Sequence, residues 1–94
     1  MPNDVRVSVV TSMFRSSPFL EEFYARTVKA ISAISSSYEI VFVNDGSPDD
    51  SLAVALRLRE RDARVRIIDL SRNFGHHRAL MTGLTMARGE LIFL

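Results

Sequence analysis

Ile40-Val41-Phe42-Val43-Asn44-Asp45-Gly46-Ser47-Pro48-Asp49-Asp50 is the stretch on which the fold turns. Its four leading apolar residues read as a buried strand, and an acidic turn follows them directly. A strand that carries carboxylates to its C-terminal end, then breaks into a glycine turn and a helix start, is laid out to hold a polar ligand at a sheet edge. Ser47 to Asp50 has the spacing of a capping box, with Ser47 placed for the third helical amide and Asp50 for the reach back. The helix is expected to continue through Leu52, Ala55, Leu56 and Leu58 to about Asp62, with Arg57, Arg59, Glu60 and Arg61 on its solvated face.

Upstream, residues 5–11 are rich in valine and read as a first strand buried on at least one face. Ser17 then suits an N-cap, Pro18 the first helical position, and Glu21 and Glu22 the positive end of the dipole. Leu20, Tyr24, Val28 and Ile31 fall on one helix face, and this helix is expected to reach about Ile34 before the loop Ser35-Ser36-Ser37. The second strand spans residues 39–43. Downstream come a strand at 65–70, a polar loop at 71–77, a helix lined by Ala79, Leu80, Leu84 and Ala87 with Gly89 as its C-terminal cap, and a strand at 90–94.

The order is therefore βαβαβαβ, an α/β fold. Right-handed crossovers make the sheet parallel and cover both its faces, giving a three-layer, Rossmann-like arrangement. The loops after its strands, at 11–16, 44–50 and 71–77, then share one edge, where ligands bind in such sheets.

Composition narrows the class. The 94 residues are 47% hydrophobic and 24% charged, as in a globular chain. Twelve Lys and Arg against eleven Asp and Glu give no net pull toward nucleic acid or an anionic membrane. The absence of cysteine removes disulfides, thiolate metal sites and thiol nucleophiles, and fits a reducing compartment. Met1-Pro2-Asn3-Asp4 lacks the features of a signal peptide, and no apolar run is long enough to span a membrane. A cytoplasmic location is expected, with the cytoplasmic face of the membrane as an alternative for the full-length protein. The last residues, Leu91-Ile92-Phe93-Leu94, are apolar and uncapped, so the chain is read as part of a larger domain whose exposed apolar surface favours self-association.

The chain resembles the N-terminal half of a family 2 glycosyltransferase with the GT-A fold. The resemblance rests on Val7-Ser8-Val9-Val10-Thr11-Ser12-Met13-Phe14, on Val41 through Ser51, on Leu70-Ser71-Arg72-Asn73-Phe74-Gly75-His76-His77-Arg78-Ala79-Leu80, and on Gly83-Leu84 and Ala87-Arg88-Gly89-Glu90. It implies that residues 1–94 are the nucleotide-sugar-binding portion of an inverting, hexosyltransferase-type enzyme. The donor would be a UDP- or GDP-linked sugar and the acceptor a lipid phosphate or saccharide, with no role for nucleic acid. It also implies Mg²⁺ or Mn²⁺ for the full-length enzyme, held with the catalytic base beyond residue 94, so that this piece alone would bind nucleotide without transferring sugar.

Site residues follow from the same resemblance. Asp45 corresponds to a carboxylate that accepts from the nucleobase ring N–H, the donor that uracil or guanine offers; an Asx turn tying its own loop is the alternative. Phe14 falls where an aromatic stacks on the base, with core packing as its alternative, and Thr11 lies beside base and ribose. The family pattern Pro-x-Tyr-Asn-Glu is replaced here by Ser12-Met13-Phe14-Arg15-Ser16. Gly46 serves either a ligand approach or a positive φ. Asn73, Gly75 and His76 border the donor site; adjacent His76 and His77 lack a third ligand and do not read as a metal pair. Arg72 and Arg78 suit either a pyrophosphate or a solvated surface.

Two other doubly wound classes fit poorly. A receiver-like domain needs an acidic pocket where Thr11, Ser12 and Met13 stand, and a dinucleotide domain needs Gly-x-Gly-x-x-Gly after the first strand. A non-catalytic nucleotide-binding or interaction module remains the alternative function.

Overall fold

The structure, a computed structural model, describes residues 5–70 and 72–93. Its elements are β1 (Val7–Met13), a single 3₁₀ turn (Ser17–Phe19), α1 (Leu20–Ser32), β2 (Tyr38–Asn44), α2 (Ser51–Arg61), β3 (Val65–Asp69), α3 (His76–Met86) and β4 (Leu91–Phe93). The strands form one parallel sheet in the order β3-β2-β1-β4. This is the expected βαβαβαβ α/β fold, a parallel sheet with helices on both faces.

The twofold period of the strands divides the core into two layers. Val7, Val9, Met13, Ile40, Phe42 and Val65 face α1 and α2, where Leu20, Ile31, Val54, Ala55 and Leu58 complete one cluster. Val10, Val41 and Val43 face the other way and pack with Ala79 and Leu80 of α3. Every residue of β2 is buried, because it is flanked by a strand on each side and helices on both faces. The continuous apolar run that opens the acidic turn is thus the central spine of the molecule.

Several element boundaries differ from the sequence reading, each for a local reason. β1 continues past Thr11 to Met13 because Thr11, Ser12 and Met13 keep pairing with Phe42, Val43 and Asn44. Ser17 and Pro18 open a 3₁₀ turn rather than the α-helix, without a side-chain cap, and α1 ends at Ser32, short of Ile34. The Ser47/Asp50 capping box does not form. Asp49 engages the hydroxyls of both Ser47 and Ser51, so α2 begins at Ser51. β3 closes at Asp69. α3 starts at His76, three residues ahead of Ala79, since the Ala79 N–H already bonds the Gly75 carbonyl at 3.0 Å.

Gly89 is not a helix cap. α3 ends at Met86 with Ala87 extended, and Gly89 lies against β1, where a Cβ would come within 2.6 Å of the Ser8 nitrogen. β4 spans Leu91–Phe93. Met1 to Asp4, the loop residue Ser71 and the final Leu94 lie outside the described residues.

At the N-terminal end of the sheet, Glu39 fastens four segments together. Its carboxylate, 3% exposed, accepts from Ser8 Oγ at 2.5 Å, Arg66 Nη1 at 2.7 Å and the Arg88 N–H at 2.7 Å, while Ser8 Oγ accepts from the Gly89 N–H at 2.8 Å. Burial alone would push this carboxyl up. The hydrogen bonds from Ser8, the Arg88 amide and Arg66, together with the Arg66 charge, outweigh that and hold it below the usual carboxylate value.

Candidate functional site

The loops that leave β1, β2 and β3 meet at the opposite end of the sheet, as the topology requires. They are bonded to one another. From the first loop, the Arg15 N–H donates to Ser47 Oγ at 2.8 Å, the Ser16 N–H to Ser51 Oγ at 3.0 Å and the Ser17 N–H to Asp49 Oδ2 at 3.3 Å. Asp49 is the hub of this clasp: its Oδ1 accepts from Ser47 Oγ and Ser51 Oγ, each at 2.5 Å, and from the Ser51 N–H at 2.9 Å. The hydroxyls of Ser47 and then Ser51 hold its carboxyl well below the usual range, against a smaller effect of burial.

The second loop is tied to the third by Asp45. This carboxylate is 2% exposed, and its Oδ1 accepts from the Phe74 N–H at 2.8 Å. Among the described residues only that oxygen of Asp45 takes a hydrogen bond. Gly46 explains how the loops come so close. At φ 64° it adopts a left-handed turn, and a Cβ there would stand 2.4 Å from the Asn73 nitrogen and 2.6 Å from the Arg72 carbonyl carbon. The positive φ expected of Gly46 is present, and the close approach it permits here is to the chain's own backbone.

The third loop turns on Asn73, whose Oδ1 accepts from the Gly75 N–H at 2.8 Å, while Gly75 takes φ 96°. That turn delivers His76 to the start of α3, where its Nδ1 and Ser12 Oγ share a hydrogen bond of 2.6 Å. The Ser12 contact keeps the ring at the end of β1 and leaves Nε2 for another partner. Arg72 stacks over the Phe74 ring at 4.8 Å.

Phe14 is 41% exposed, so it is a surface ring at the site and not part of the core. Arg15, held at φ 55°, places its guanidinium 5.4 Å from the ring centre. Thr11 is half-buried and faces the α1 side, on the wall of a cavity of about 130 Å³ shared with Ser16, Phe19 and Phe23. The seven anticipated residues therefore gather at one edge. Thr11 stands on the α1 side of β1, while the neighbouring Ser12 makes the contact with His76.

Among the described residues no three His, Cys, Asp or Glu side chains group as metal ligands. The described residues do not make up a site for the divalent ion that the resemblance implies. None of the described helices is long and apolar enough to cross a membrane.

Three features escaped the sequence reading: the Asp49 clasp, the Ser12–His76 bond and the Glu39 fastening. The signal for the last was on view, since Ser8 interrupts a run of valines and pairs in register with Glu39.

The family model described as Glycosyl transferase family 2 matches residues 8–94. The chain belongs to this family. A relative in Mycobacterium tuberculosis (strain CDC 1551 / Oshkosh), described only as a glycosyltransferase, is 52% identical over 96% of the chain and 26% of its own length. The glycosyltransferase YkcC of Bacillus subtilis (strain 168), itself uncharacterized, is 36% identical over 98% of the chain and 28% of its own length. The undecaprenyl-phosphate 4-deoxy-4-formamido-L-arabinose transferase of Sodalis glossinidius (strain morsitans) is 36% identical over 93% of the chain and 27% of its own length. The chain thus spans about a quarter of the length of the curated relatives it matches.

The fold agrees. The mannosyltransferase PcManGT of Pyrobaculum calidifontis, solved with GDP-Man and Mn²⁺, superposes with a TM-score of 0.78 at 22% identity, over 95% of the chain and 26% of PcManGT. Staphylococcus aureus TarS 1-349 gives 0.68 at 22% identity, over 96% of the chain and 27% of TarS.

Proposed function

We propose that this chain is the nucleotide-binding portion of an inverting glycosyltransferase, and that the three joined loops hold the donor. The observation that carries the reading is the Asp45–Phe74 bond: a buried carboxylate that, among the described residues, takes one hydrogen bond, at the sheet edge where the first loop also exposes the Phe14 ring. In this reading Phe14 stacks on the base, Asp45 accepts its ring N–H through Oδ2, and Thr11 borders the ribose. Gly46, Asn73 and Gly75 shape the third loop so that His76, steadied by Ser12, donates from Nε2 to the diphosphate.

The reaction we assign to the whole protein is a single displacement. An acceptor oxygen attacks the anomeric carbon from one side as the bond to the diphosphate breaks on the other, and the acceptor proton passes to a base. The donor we assign is a UDP- or GDP-linked sugar and the acceptor a lipid phosphate, with a saccharide as the second candidate; GDP-Man bound to PcManGT supports a GDP-linked donor, and the undecaprenyl-phosphate transferase relative supports a lipid-phosphate acceptor. Mg²⁺ or Mn²⁺ would offset charge on the departing diphosphate, and we assign its ligands and the base outside the described residues. A cytoplasmic location, where nucleotide sugars are made, fits a chain without cysteine.

Titrating UDP and GDP against ¹⁵N-labelled protein tests the binding role. Saturable shifts at the amides of residues 45–51 and 73–76 are expected; a spectrum unchanged at those positions would sink it.

A further inference from the structure

We propose that an arginine-lined cavity at the open edge of β3 binds a phosphate-class anion, independently of the loops at the other end of the sheet. The cavity, about 300 Å³, is lined by Arg59, Ala63, Arg66 and Arg88 among others, and Arg66 and Arg88 also line an adjoining one of about 170 Å³ with Arg64 and Glu39. Three arginines, from α2, β3 and the segment before β4, thus line the larger cavity, and Arg64, between α2 and β3, lines the adjoining one with its guanidinium 5.0 Å from the Tyr38 ring centre.

Their charges are incompletely offset. Glu39 neutralises one, and Asp62 lies 3.9 Å from Arg64. Arg59 and Arg88 have no ion pair among the described residues. Arg66 is fixed in advance, because its Nη1 donates both to Glu39 Oε1 at 2.7 Å and to the Met86 carbonyl at 3.0 Å. A guanidinium immobilised on one nitrogen keeps its remaining N–H groups aimed, and arginine forks match phosphate oxygens.

The strand adds a backbone donor. The sheet order leaves one side of β3 unpaired, and the Arg64 carbonyl bonds the Ile40 N–H. Strand alternation then turns the backbone of Ile67, which lines the cavity, outward. Charged residues beside an open strand also discourage edge-to-edge pairing, and that simpler role would require no ligand.

Two arms of one experiment separate free phosphate from a lipid headgroup. In the first, inorganic pyrophosphate is titrated while arginine Nε–H signals and the amides of residues 63–67 and 86–89 are followed. In the second, vesicles of phosphatidylcholine with and without phosphatidic acid are tested by co-sedimentation. Saturable shifts at those positions, weakened at least tenfold in the Arg59→Ala/Arg88→Ala variant, assign a free phosphate. Phosphatidic-acid-dependent sedimentation lost in the same variant assigns a headgroup. The proposal is overturned if neither arm responds, if the variant behaves like the parent chain, or if pyrophosphate shifts only the loops at residues 45–51 and 73–76.

Discussion

The two ends of this sheet each bury a carboxylate and put it to opposite uses. At the N-terminal end, Glu39 bonds a hydroxyl, a guanidinium and a backbone amide, so β1, β2, β3 and the segment before β4 are fastened. At the C-terminal end, Asp45 takes one amide among the described residues, from Phe74, and the loops of the same sheet edge carry the exposed Phe14 ring and the Ser12–His76 pair. Burial is almost equal, at 3% and 2% exposure, so burial does not tell a fastening from a site. What does tell them apart is how much of the carboxylate's bonding capacity the fold has already consumed.

The largest expected effect tests the fastening. Glu39→Ala removes the partner of a half-buried Arg66 and strips Ser8 and the Arg88 amide of their acceptor; breaking a buried pair in this way costs about 4 kcal/mol. Urea unfolding should register that loss. The Glu39 carboxyl is held below its unfolded value, so its contribution is present above pH about 4.3 and disappears as the pH falls through the lower, folded value. Glu39→Gln should flatten that acid limb. An unaltered pH profile would mean that the carboxylate is no fastening.

A somewhat smaller loss is expected at the other end. Gly46→Ala must adopt φ 64° and place a methyl against the Arg72–Asn73 backbone, combining left-handed strain with overpacking for about 3 kcal/mol. Unlike Glu39→Ala, it should displace the third loop, seen as amide shifts at residues 72–76 with the Glu39 end undisturbed. Shifts spread evenly over the molecule would erase the distinction between the two ends.

The sequence made one of these ends far more legible than the other. The apolar period of β2, the serine and proline before α1 and the glycines of the turns gave the element order, and topology alone then brought the three loops together. Glu39 drew no attention, because a glutamate at a strand's start is ordinarily solvated and its partners lie 31, 27 and 49 residues away. Asp49 was hidden differently. The Ser47 to Asp50 spacing matched a capping box, but a carboxylate two residues from each of two serines outcompeted it, and the helix gave up its first turn. Phe14 was ambiguous between core and surface because aromatic residues occupy both, and only the path of β1 to Met13 decided it.

The smallest effect on stability is expected where the clasp itself is cut. Asp49 is exposed, so Asp49→Asn should barely move the unfolding midpoint. Its consequence is local order. An amide oxygen accepts more weakly than a carboxylate, and the Ser47 and Ser51 hydroxyls that it gathers are the acceptors for the Arg15 and Ser16 amides. Hydrogen exchange at Arg15, Ser16 and Ser17 should therefore quicken several-fold while the amides of β2 keep their protection. Because the wild-type carboxyl is held well below the usual range, the clasp is intact above the unfolded carboxylate value of about 3.9 and is lost as the pH drops through the folded one, so exchange at these amides should show no pH-linked loosening between pH 5 and 8 beyond the intrinsic rate. Nucleotide binding should weaken with the loosening if Phe14 needs a fixed loop to present its ring. Exchange that stays slow in Asp49→Asn would place the organising contact of the first loop elsewhere, and the C-terminal end would then be less a built site than a set of neighbouring turns.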